Sequence, residues 1–499
     1  MYTRVPIITL LHSPLGGSKL PASRLLPMSG CCPLPTLSRR VVPRRPCHPP
    51  LQPFKRIHRF QPCAPYSTMP ASHIEYQYVE DVEVLSDYRP GGYHPVQIEH
   101  VLHERYRIVH KLGHGAFSTA WLALDNQTST YVAVKVGTAD ADSREADILS
   151  QLTTSAVATA DGFTHSTDKV TMIPLVLDRF TLDGPNGTHP CFATLPARCS
   201  LMDAKEASGP RLFQLDAARS LAAQLAIAVS IVHSHGYAHG DLHLGNLLLQ
   251  LPSSLNNLSV DQLYAEYGAP EPEAIVRLDG KPTSAEAAAG VPPYAIPPVW
   301  LGKAGDEIAL DEAKLLLVDF GVAFRPSERS RFESHTPLMI RPPEALFEPT
   351  TPLSLASDVW SLGCTVFELL AHRSLIDGIL APQDEITAQQ VHLQGPPPSA
   401  WWDGWGERSK WFDEAGRPLG NERDVWTWDR RFEEWVQEPR RSCGMEVIDD
   451  EEKAALLEML RRMLAWRPGE RPTAGEVLDT AWMKRWALPA YEKSQKAWA

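Results

Sequence analysis

The stretch HGDLHLGNLLL, residues 239–249, places an aspartate five residues before an asparagine and follows both with leucines. This spacing is typical of a phosphoryl-transfer loop, in which the aspartate accepts the proton of a substrate hydroxyl and the asparagine holds a metal ion. We therefore predict that Asp241 is the catalytic base and that Asn246 is a metal ligand. His239 is expected to support the loop rather than to react.

A second metal ligand is indicated by Asp319-Phe320-Gly321, which ends the apolar run KLLLV. Alone, this tripeptide is a common turn signal. Downstream of a phosphoryl-transfer loop, however, it is where an aspartate coordinates Mg²⁺. Asp319 is therefore expected to share the metal with Asn246.

Nucleotide binding is indicated by LGHGAFSTAW, residues 112–121, which lies between two strand-like segments. Its two glycines have no Cβ, so backbone N–H groups could approach phosphate oxygens. A glycine-rich hairpin alone is weak support, because most such hairpins are only turns. The nucleotide contacts expected here are Leu112, Gly113, Gly115, Ser118 and Ala120.

The strand VAVK, residues 132–135, strengthens this interpretation. Ala133 is expected to lie against the adenine ring, and Lys135 to reach the α and β phosphates. Glu145, in the next helical segment, is the candidate ion-pair partner of Lys135, although ten residues is a short separation. Because the hairpin, VAVK, the loop and Asp319 occur in this order, coincidence is a poor explanation, and ATP and Mg²⁺ are the expected cofactors.

The order of the secondary-structure patterns indicates an α+β chain. Strand-like segments begin at Tyr106, and helical patterns follow at 143–152, 215–236 and 357–370. The most apolar stretch, 220–236, is interrupted by polar residues, so we expect a buried helix and no membrane association. The eight cysteines show no CxxC pairs, so neither a zinc site nor a disulfide framework is expected.

Three downstream motifs narrow the class of phosphate acceptor. They are IRPPEALF with Glu344, SDVWSLG with Asp358, Trp360 and Gly363, and RPGERPTAGEVL with Arg471. Together with the earlier motifs they resemble eukaryotic protein kinases over about 106–485. The resemblance implies a two-lobed fold, with an N-lobe of antiparallel sheet plus one helix and a mostly helical C-lobe, and it implies that Arg471 pairs with Glu344. Small-molecule phosphotransferases share the loop but lack these three motifs.

A narrower resemblance is to the serine/arginine-rich (SR) protein kinases, particularly fungal-type members. DYRPGGYHPVQI, residues 87–98, resembles their lead-in, and KLGHGAFSTAWLALD, residues 111–125, resembles their hairpin. This resemblance implies a serine/threonine kinase that uses ATP and Mg²⁺ on protein substrates rich in Arg and Ser, without direct nucleic-acid binding. It also implies a location in the cytoplasm and nucleus.

The distribution of charged residues indicates the first domain boundary. Residues 1–74 hold ten of the 48 Lys and Arg residues and none of the 60 acidic ones. The remaining chain therefore has a net charge of −22, against −12 for the whole. The expected organisation is a basic proline-rich leader (1–74), a lead-in (75–105), an N-lobe (106–199), a C-lobe (200–485) with a surface insertion at about 251–312, and a C-terminal tail (486–499).

The leader has three open interpretations. Its basic, acid-poor composition is typical of a mitochondrial presequence, but its 14 prolines oppose the amphipathic helix that a presequence forms. It could instead be a disordered basic tail, or translation could begin at Met69. The mitochondrial interpretation conflicts with the location that the family resemblance implies.

Three departures from the kinase pattern affect the expected activity. His243 stands where protein kinases have a lysine that contacts the transferred phosphate, so it is a candidate catalytic residue with a weaker fixed charge. Gly240 replaces the arginine that clamps a phosphorylated activation segment. Thr336 lies eight residues before Glu344 rather than seven, which puts its contact with Asp241 in question. A catalytically silent pseudokinase scaffold therefore remains an alternative, and a small-molecule phosphotransferase is a weaker one.

Overall fold

A computed structural model describes residues 76–158, 172–280, 289–421 and 425–498. The leader, with its three interpretations and Met69, lies outside these residues. Side chains are described within the same ranges, except for 154–158 and 498.

The strands fall into three sheets. They are β1 (Val101–Leu102), β2 (Tyr106–Gly115), β3 (Ser118–Asp125), β4 (Thr130–Gly137), β5 (Asp178–Gly184), β6 (Gly187–Thr194), β7 (Ala197–Ser200), β8 (Leu247–Gln250), β9 (Glu273–Ala274), β10 (Tyr294–Ala295) and β11 (Leu315–Leu317).

In the described part of the chain, one α-helix follows the first four strands, and the other α-helices begin from residue 201 onward. In chain order, the helices are α1 (Glu145–Ala158), α2 (Leu201–Ala207), α3 (Leu215–Ser234), α4 (Val260–Tyr267), α5 (Glu344–Phe347), α6 (Leu355–Leu370), α7 (Gln383–Gln394), α8 (Ser399–Gly404), α9 (Trp428–Phe432), α10 (Glu438–Ser442), α11 (Asp450–Met463), α12 (Ala474–Leu478) and α13 (Leu488–Trp498). π-Helical turns, Glu433–Gln437 and Met483–Ala487, lead into α10 and α13.

The first six strands form one antiparallel sheet in the order β1-β2-β3-β4-β6-β5. Alternation along β4 gives the sheet two different faces, because successive side chains of a strand point to opposite sides. Val132, Val134 and Val136 are buried in the N-lobe core, whereas Ala133 and Lys135 are only partly buried. β4 therefore presents both predicted nucleotide-binding side chains on one face.

The C-lobe is built around α3 and α6, and every α6 residue from Ser357 to Leu370 is buried. By length and composition α3 could cross a membrane, but 72% of its most apolar window is buried inside the described protein. A small sheet in the order β11-β8-β7 lies beside these helices. The predicted catalytic loop runs directly into β8.

Two residues, 195 and 196, connect the lobes, because β6 belongs to the N-lobe sheet and β7 pairs with β8. The predicted α+β, two-lobed fold is confirmed. The predicted boundary between residues 199 and 200 is a few residues late, since β7 already belongs to the C-lobe. β7 is short and flanked by other strand-like residues, so its change of sheet leaves no sequence signal.

The prediction of a surface insertion at about 251–312 was wrong for part of that segment. Leu255 and Leu263 are buried against Val109, Leu122 and Tyr131 of the N-lobe sheet. The backbone N–H of Val299 also donates to the Lys111 carbonyl at 2.8 Å. The segment therefore completes one side of the N-lobe, because the apolar side chains on this side of the sheet need a cover.

The segment predicted as a C-terminal tail, 486–499, packs against the C-lobe. It is mostly α13, which lies along α3, with Ala487, Ala490 and Ser494 buried. Ser494 and Ser220 share a 3.1 Å hydrogen bond, and Lys493 pairs with Asp216 at 2.7 Å. Small side chains allow the two helices to approach closely, and they produce little hydrophobic periodicity.

Candidate active site

The catalytic loop brings the predicted base and metal ligand together. A single 3₁₀ turn, Leu244–Asn246, brings the Asn246 amide back to Asp241. Its Nδ2 donates to the Asp241 carbonyl at 2.9 Å and lies 3.2 Å from Oδ2. The other carboxylate oxygen, Oδ1, is buried without a hydrogen-bond partner among the described residues. One oxygen of Asp241 is thus held in place, while the other can accept a proton.

Asp358 holds the start of this loop from the C-lobe. Its carboxylate accepts the backbone N–H groups of His239 at 2.7 Å and Gly240 at 2.9 Å, and His233 lies 3.0 Å away. Burial alone would raise the pKa of Asp358, but these hydrogen bonds and the nearby histidines lower it below its usual value. Gly240 has φ +80°, in the left-handed region that favours glycine. The sequence motif identified Asp358 but gave no sign that it supports the loop.

Lys135 is fixed by two carboxylates. Its Nζ lies 2.7 Å from both oxygens of Glu145 and 3.0 Å from Oδ1 of Asp319. The ion pair expected between Lys135 and Glu145 is therefore present despite their short separation. Burial alone would lower the pKa of Lys135, but these carboxylates raise it above its usual value. Lys135 in turn lowers the pKa of Asp319, which keeps that carboxylate ionised.

The Asp319-Phe320-Gly321 turn is connected to α1 and to the catalytic loop. Glu145 accepts the Phe320 backbone N–H at 3.2 Å, and the buried Phe320 ring meets His239 edge-on at 4.8 Å between centroids. His239 also lies 3.0 Å from the Val318 carbonyl, which is the supporting contact expected of it. Asp319 has φ +64°, a strained value for a residue with a side chain. In this conformation the Asp319 carboxylate lies beside Lys135.

The glycine-rich hairpin leaves open space on its surface. A Cβ added to Gly113 or Gly115 would meet no protein atom within 4 Å. Ala120 pairs directly with Lys135 across β3 and β4, and Ser118 pairs with Gly115 at the turn. That these residues contact a nucleotide stays a prediction. Leu112 packs partly against the side of the N-lobe that the insertion covers.

His243 and Thr336 approach Asp241 differently from the kinase pattern. His243 Nδ1 accepts the Gly245 N–H at 3.1 Å, so a neutral ring carries its proton on Nε2, which lies 3.6 Å from Asp241 Oδ2. Thr336 is buried, and its hydroxyl bonds to Ser334 at 2.6 Å rather than to Asp241. The shifted spacing before Glu344 thus removes the threonine contact.

The remaining kinase motifs also meet in the C-lobe. Arg471 forms two hydrogen bonds to Glu344, at 2.8 and 2.7 Å, as the resemblance implied. Ser357 donates to the same carboxylate at 2.9 Å. Trp360 is buried beneath the Arg471 guanidinium, 5.1 Å from ring centroid to Cζ. This cluster fixes the end of the activation segment, residues 319–344, to α6.

The donor groups fit a Mg²⁺–nucleotide complex rather than a metal held by protein alone. Among the described residues, no three His, Cys, Asp or Glu side chains form a group that could hold a metal ion. Mg²⁺ in nucleotide sites typically takes one or two carboxylates and obtains its other ligands from phosphates and water. The ionised Asp319 carboxylate and the Asn246 amide match that sparse set.

Similarity to known proteins agrees with this geometry. The protein kinase domain family model matches residues 306–483. A serine/threonine protein kinase of Aspergillus fumigatus is 23% identical over 444 residues, covering 87% of this chain and 99% of that protein. Serine/threonine-protein kinase SRPK of Physarum polycephalum is 27% identical over 421 residues, covering 80% and 91%.

Shorter matches are more similar in sequence. Protein kinase dsk1 of Schizosaccharomyces pombe is 36% identical over 169 residues, covering 34% of this chain and 30% of that protein. Among solved structures, the crystal structure of a kinase domain superposes with a TM-score of 0.50 at 18% identity, covering 78% of this chain and 98% of that one. The chain has a kinase fold and is a serine/threonine protein kinase, and it is similar to several proteins of the SR protein kinase type.

Proposed function

We propose that this kinase transfers the γ-phosphate of ATP, with Mg²⁺, to serine or threonine side chains of arginine-rich proteins. One observation carries the proposal: Lys135, Glu145 and Asp319 form one hydrogen-bonded network, while Asp241 and Asn246 form a second on the adjoining loop. The candidate base, the candidate metal ligands and the lysine that would orient the phosphates are thus held together, although His243 replaces the catalytic-loop lysine.

Each side chain has a distinct task in this proposal. Asp241 accepts the proton of the substrate hydroxyl through its unpartnered oxygen, while Asn246 orients the same carboxylate. Lys135, held by Glu145, orients the phosphates. Asp319 stays ionised and supplies a metal ligand. Bound Mg²⁺ neutralises charge that develops on the transferred phosphate.

Arginine-rich substrates are supported by charge and by the relatives. Residues 75–499 have a net charge of −22, which attracts cationic partners and accelerates their encounter. Several relatives are named as SR protein kinases, including SRSF protein kinase 3 of Homo sapiens. An SR-type substrate places arginine beside the acceptor serine, so both observations favour the same peptide chemistry.

A peptide comparison tests the proposal. Purified kinase is given Mg²⁺-ATP and either an Arg-Ser repeat peptide or a matched Gln-Ser peptide, at low and high salt. We expect kcat/KM to be about tenfold or more higher for the Arg-Ser peptide, with an advantage that shrinks as salt screens the charges. Asp241→Asn and Asp319→Ala should each abolish transfer to both peptides.

Three outcomes contradict parts of the proposal. Equal rates on the two peptides at low salt remove the arginine preference but leave the kinase activity. Full activity of Asp241→Asn or Asp319→Ala overturns the assigned roles. Absence of transfer to any peptide, with ATP still bound, favours the pseudokinase scaffold.

A further inference from the structure

The lead-in segment reaches the glycine-rich hairpin through one buried side chain. The phenol of Tyr93 donates a hydrogen bond to the Gly115 carbonyl at 2.7 Å. Only 3% of Tyr93 is exposed. Burial and the nearby Glu83 carboxylate raise the pKa of Tyr93, so its hydroxyl remains a donor at physiological pH. A residue 22 positions upstream thus holds the last residue of β2.

A second contact attaches the lead-in to β2 on the other side of Gly113. Glu83 accepts hydrogen bonds from the buried Lys111 ammonium and from the Tyr88 phenol. Tyr88 also packs against Tyr93, with ring centroids 5.5 Å apart. The lead-in is therefore attached to β2 both before Gly113, through Lys111, and at Gly115 itself.

Asn186, in the turn between β5 and β6, fixes the backbone of Tyr93. Its Nδ2 donates to the Tyr93 carbonyl and to the Gly290 carbonyl, both at 2.7 Å. Gly290 belongs to the segment between the catalytic loop and Asp319. The lead-in, this turn and the insertion thus meet at Asn186, which holds the Tyr93 backbone in place.

Two hydrogen bonds anchor the tip of the hairpin, and both are accepted by its carbonyl groups. Tyr93 binds the Gly115 carbonyl, and the Thr138 backbone N–H binds the Phe117 carbonyl at 2.8 Å. Neither contact involves an N–H group of the tip. Gly113 and Gly115 make the hairpin conformationally permissive, so fixing its carbonyls reduces the entropy that it loses when its amides bind phosphate.

We propose that Tyr93 is a positioning residue for ATP, which holds the glycine-rich hairpin in the conformation that closes over the phosphates. This inference rests on the proposed use of ATP. It makes the lead-in part of the nucleotide-binding apparatus, although the lead-in precedes both lobes in sequence. Tyr93 acts through Gly115 and contacts no substrate atom itself.

Tyr93→Phe tests this role with little effect on folding, because phenylalanine keeps the ring beside Tyr88. We expect KM for ATP to rise about threefold to tenfold, the effect of one lost hydrogen bond. KM for the peptide and kcat should change less than about twofold, since the catalytic loop is untouched. Direct ATP titration should show the same loss of affinity.

Tyr264→Phe is a matched control, because Tyr264 also donates to a β2 carbonyl, that of Val109, at 2.7 Å. This bond lies away from the hairpin, so its loss should leave KM for ATP unchanged. An unchanged KM in Tyr93→Phe, or an equal rise in both variants, overturns the positioning role. Failure of the wild-type enzyme to use ATP would instead overturn the proposed function on which the inference rests.

Discussion

Arg471 and Glu344 form a bidentate ion pair inside the C-lobe, although 127 residues separate them in sequence. Their side chains are 0% and 7% exposed. Arg471 also donates to the backbone carbonyls of Ala356, Ala465 and Trp466. The pair therefore connects the end of the activation segment to the C-lobe helices.

Removing one partner of this pair should destabilise the kinase strongly. Arg471→Met leaves the Glu344 carboxylate buried and unpaired, which costs about 3–5 kcal/mol of unfolding free energy. The exposed pair Arg417–Asp413 is the control, since Arg417→Met should cost about 0–1 kcal/mol. Thermal and urea unfolding would measure both variants. Similar losses of unfolding free energy in the two variants would show that the buried pair stabilises the kinase no more than the exposed pair does.

The Glu145 carboxylate should matter for catalysis more than for stability. Glu145→Gln weakens the anchor of Lys135 and replaces the charged acceptor of the Phe320 N–H by a neutral one. We expect kcat/KM for ATP to fall by about 10- to 100-fold, which corresponds to about 1.4–2.7 kcal/mol of lost transition-state stabilisation. Steady-state kinetics would measure this fall, and the melting temperature would serve as the folding control. Wild-type kinetics in Glu145→Gln would remove Glu145 from the catalytic set.

His243 should support phosphoryl transfer less well than a lysine at the same position. Its Nε2 lies 3.6 Å from Asp241 Oδ2, beside the proposed base. A lysine would place a permanent positive charge there, which stabilises the charge that develops on the transferred phosphate. His243→Lys should therefore raise kcat severalfold in steady-state kinetics, whereas the uncharged His243→Gln should not. An unchanged kcat in His243→Lys would show that charge at this position has no role in the reaction.

Gly240 predicts activity that is independent of activation-segment phosphorylation. It has no side chain to bind a phosphate on Ser327, Ser330 or Ser334. Phosphatase treatment should therefore change kcat/KM less than about twofold, as should replacement of all three serines by alanine. Mass spectrometry before and after treatment would verify phosphate removal.

A large loss of activity after dephosphorylation would contradict this expectation. It would imply that another cationic group binds the phosphate. Arg144, Arg325 and Arg329 are candidates, because they line a cavity of about 610 Å³ beside α1. Arg329→Gln would then be expected to reproduce the loss in the phosphorylated enzyme. Retained activity in that variant would exclude Arg329 as the group that binds the phosphate.

Contacts among the candidate site residues could be predicted from the sequence where short spacing determines position. Asp241 and Asn246 share one loop, and Asp319 follows the short strand β11 closely, so few local conformations fit their motifs. Lys135 follows from alternation along β4. The Lys135–Glu145 contact was harder to predict, because the course of the chain between them determines whether ten residues suffice.

The parts that sequence reasoning missed depend on contacts between distant segments. Leu255 and Leu263 lie in a stretch rich in proline and glycine, which concealed that they cover the N-lobe sheet. Ser494 and Ala490 are too small to produce a hydrophobic pattern, yet they let α13 lie against α3. Tyr93 belonged to a recognised lead-in motif, but nothing in that motif indicated its bond to Gly115.

Because Leu263 covers Val109 of β2, the N-lobe cannot be completed when its own strands leave the ribosome. The covering segment follows 154 residues later. At roughly 5–20 residues per second, synthesis leaves this side of the sheet uncovered for about 8–30 seconds. Ribosome-bound chains long enough for α4 to have left the exit tunnel should therefore resist protease over 106–137, whereas chains ending before Leu255 should be cleaved within 106–137. The order of synthesis thus delays assembly of the nucleotide-binding lobe until the catalytic loop has already been made.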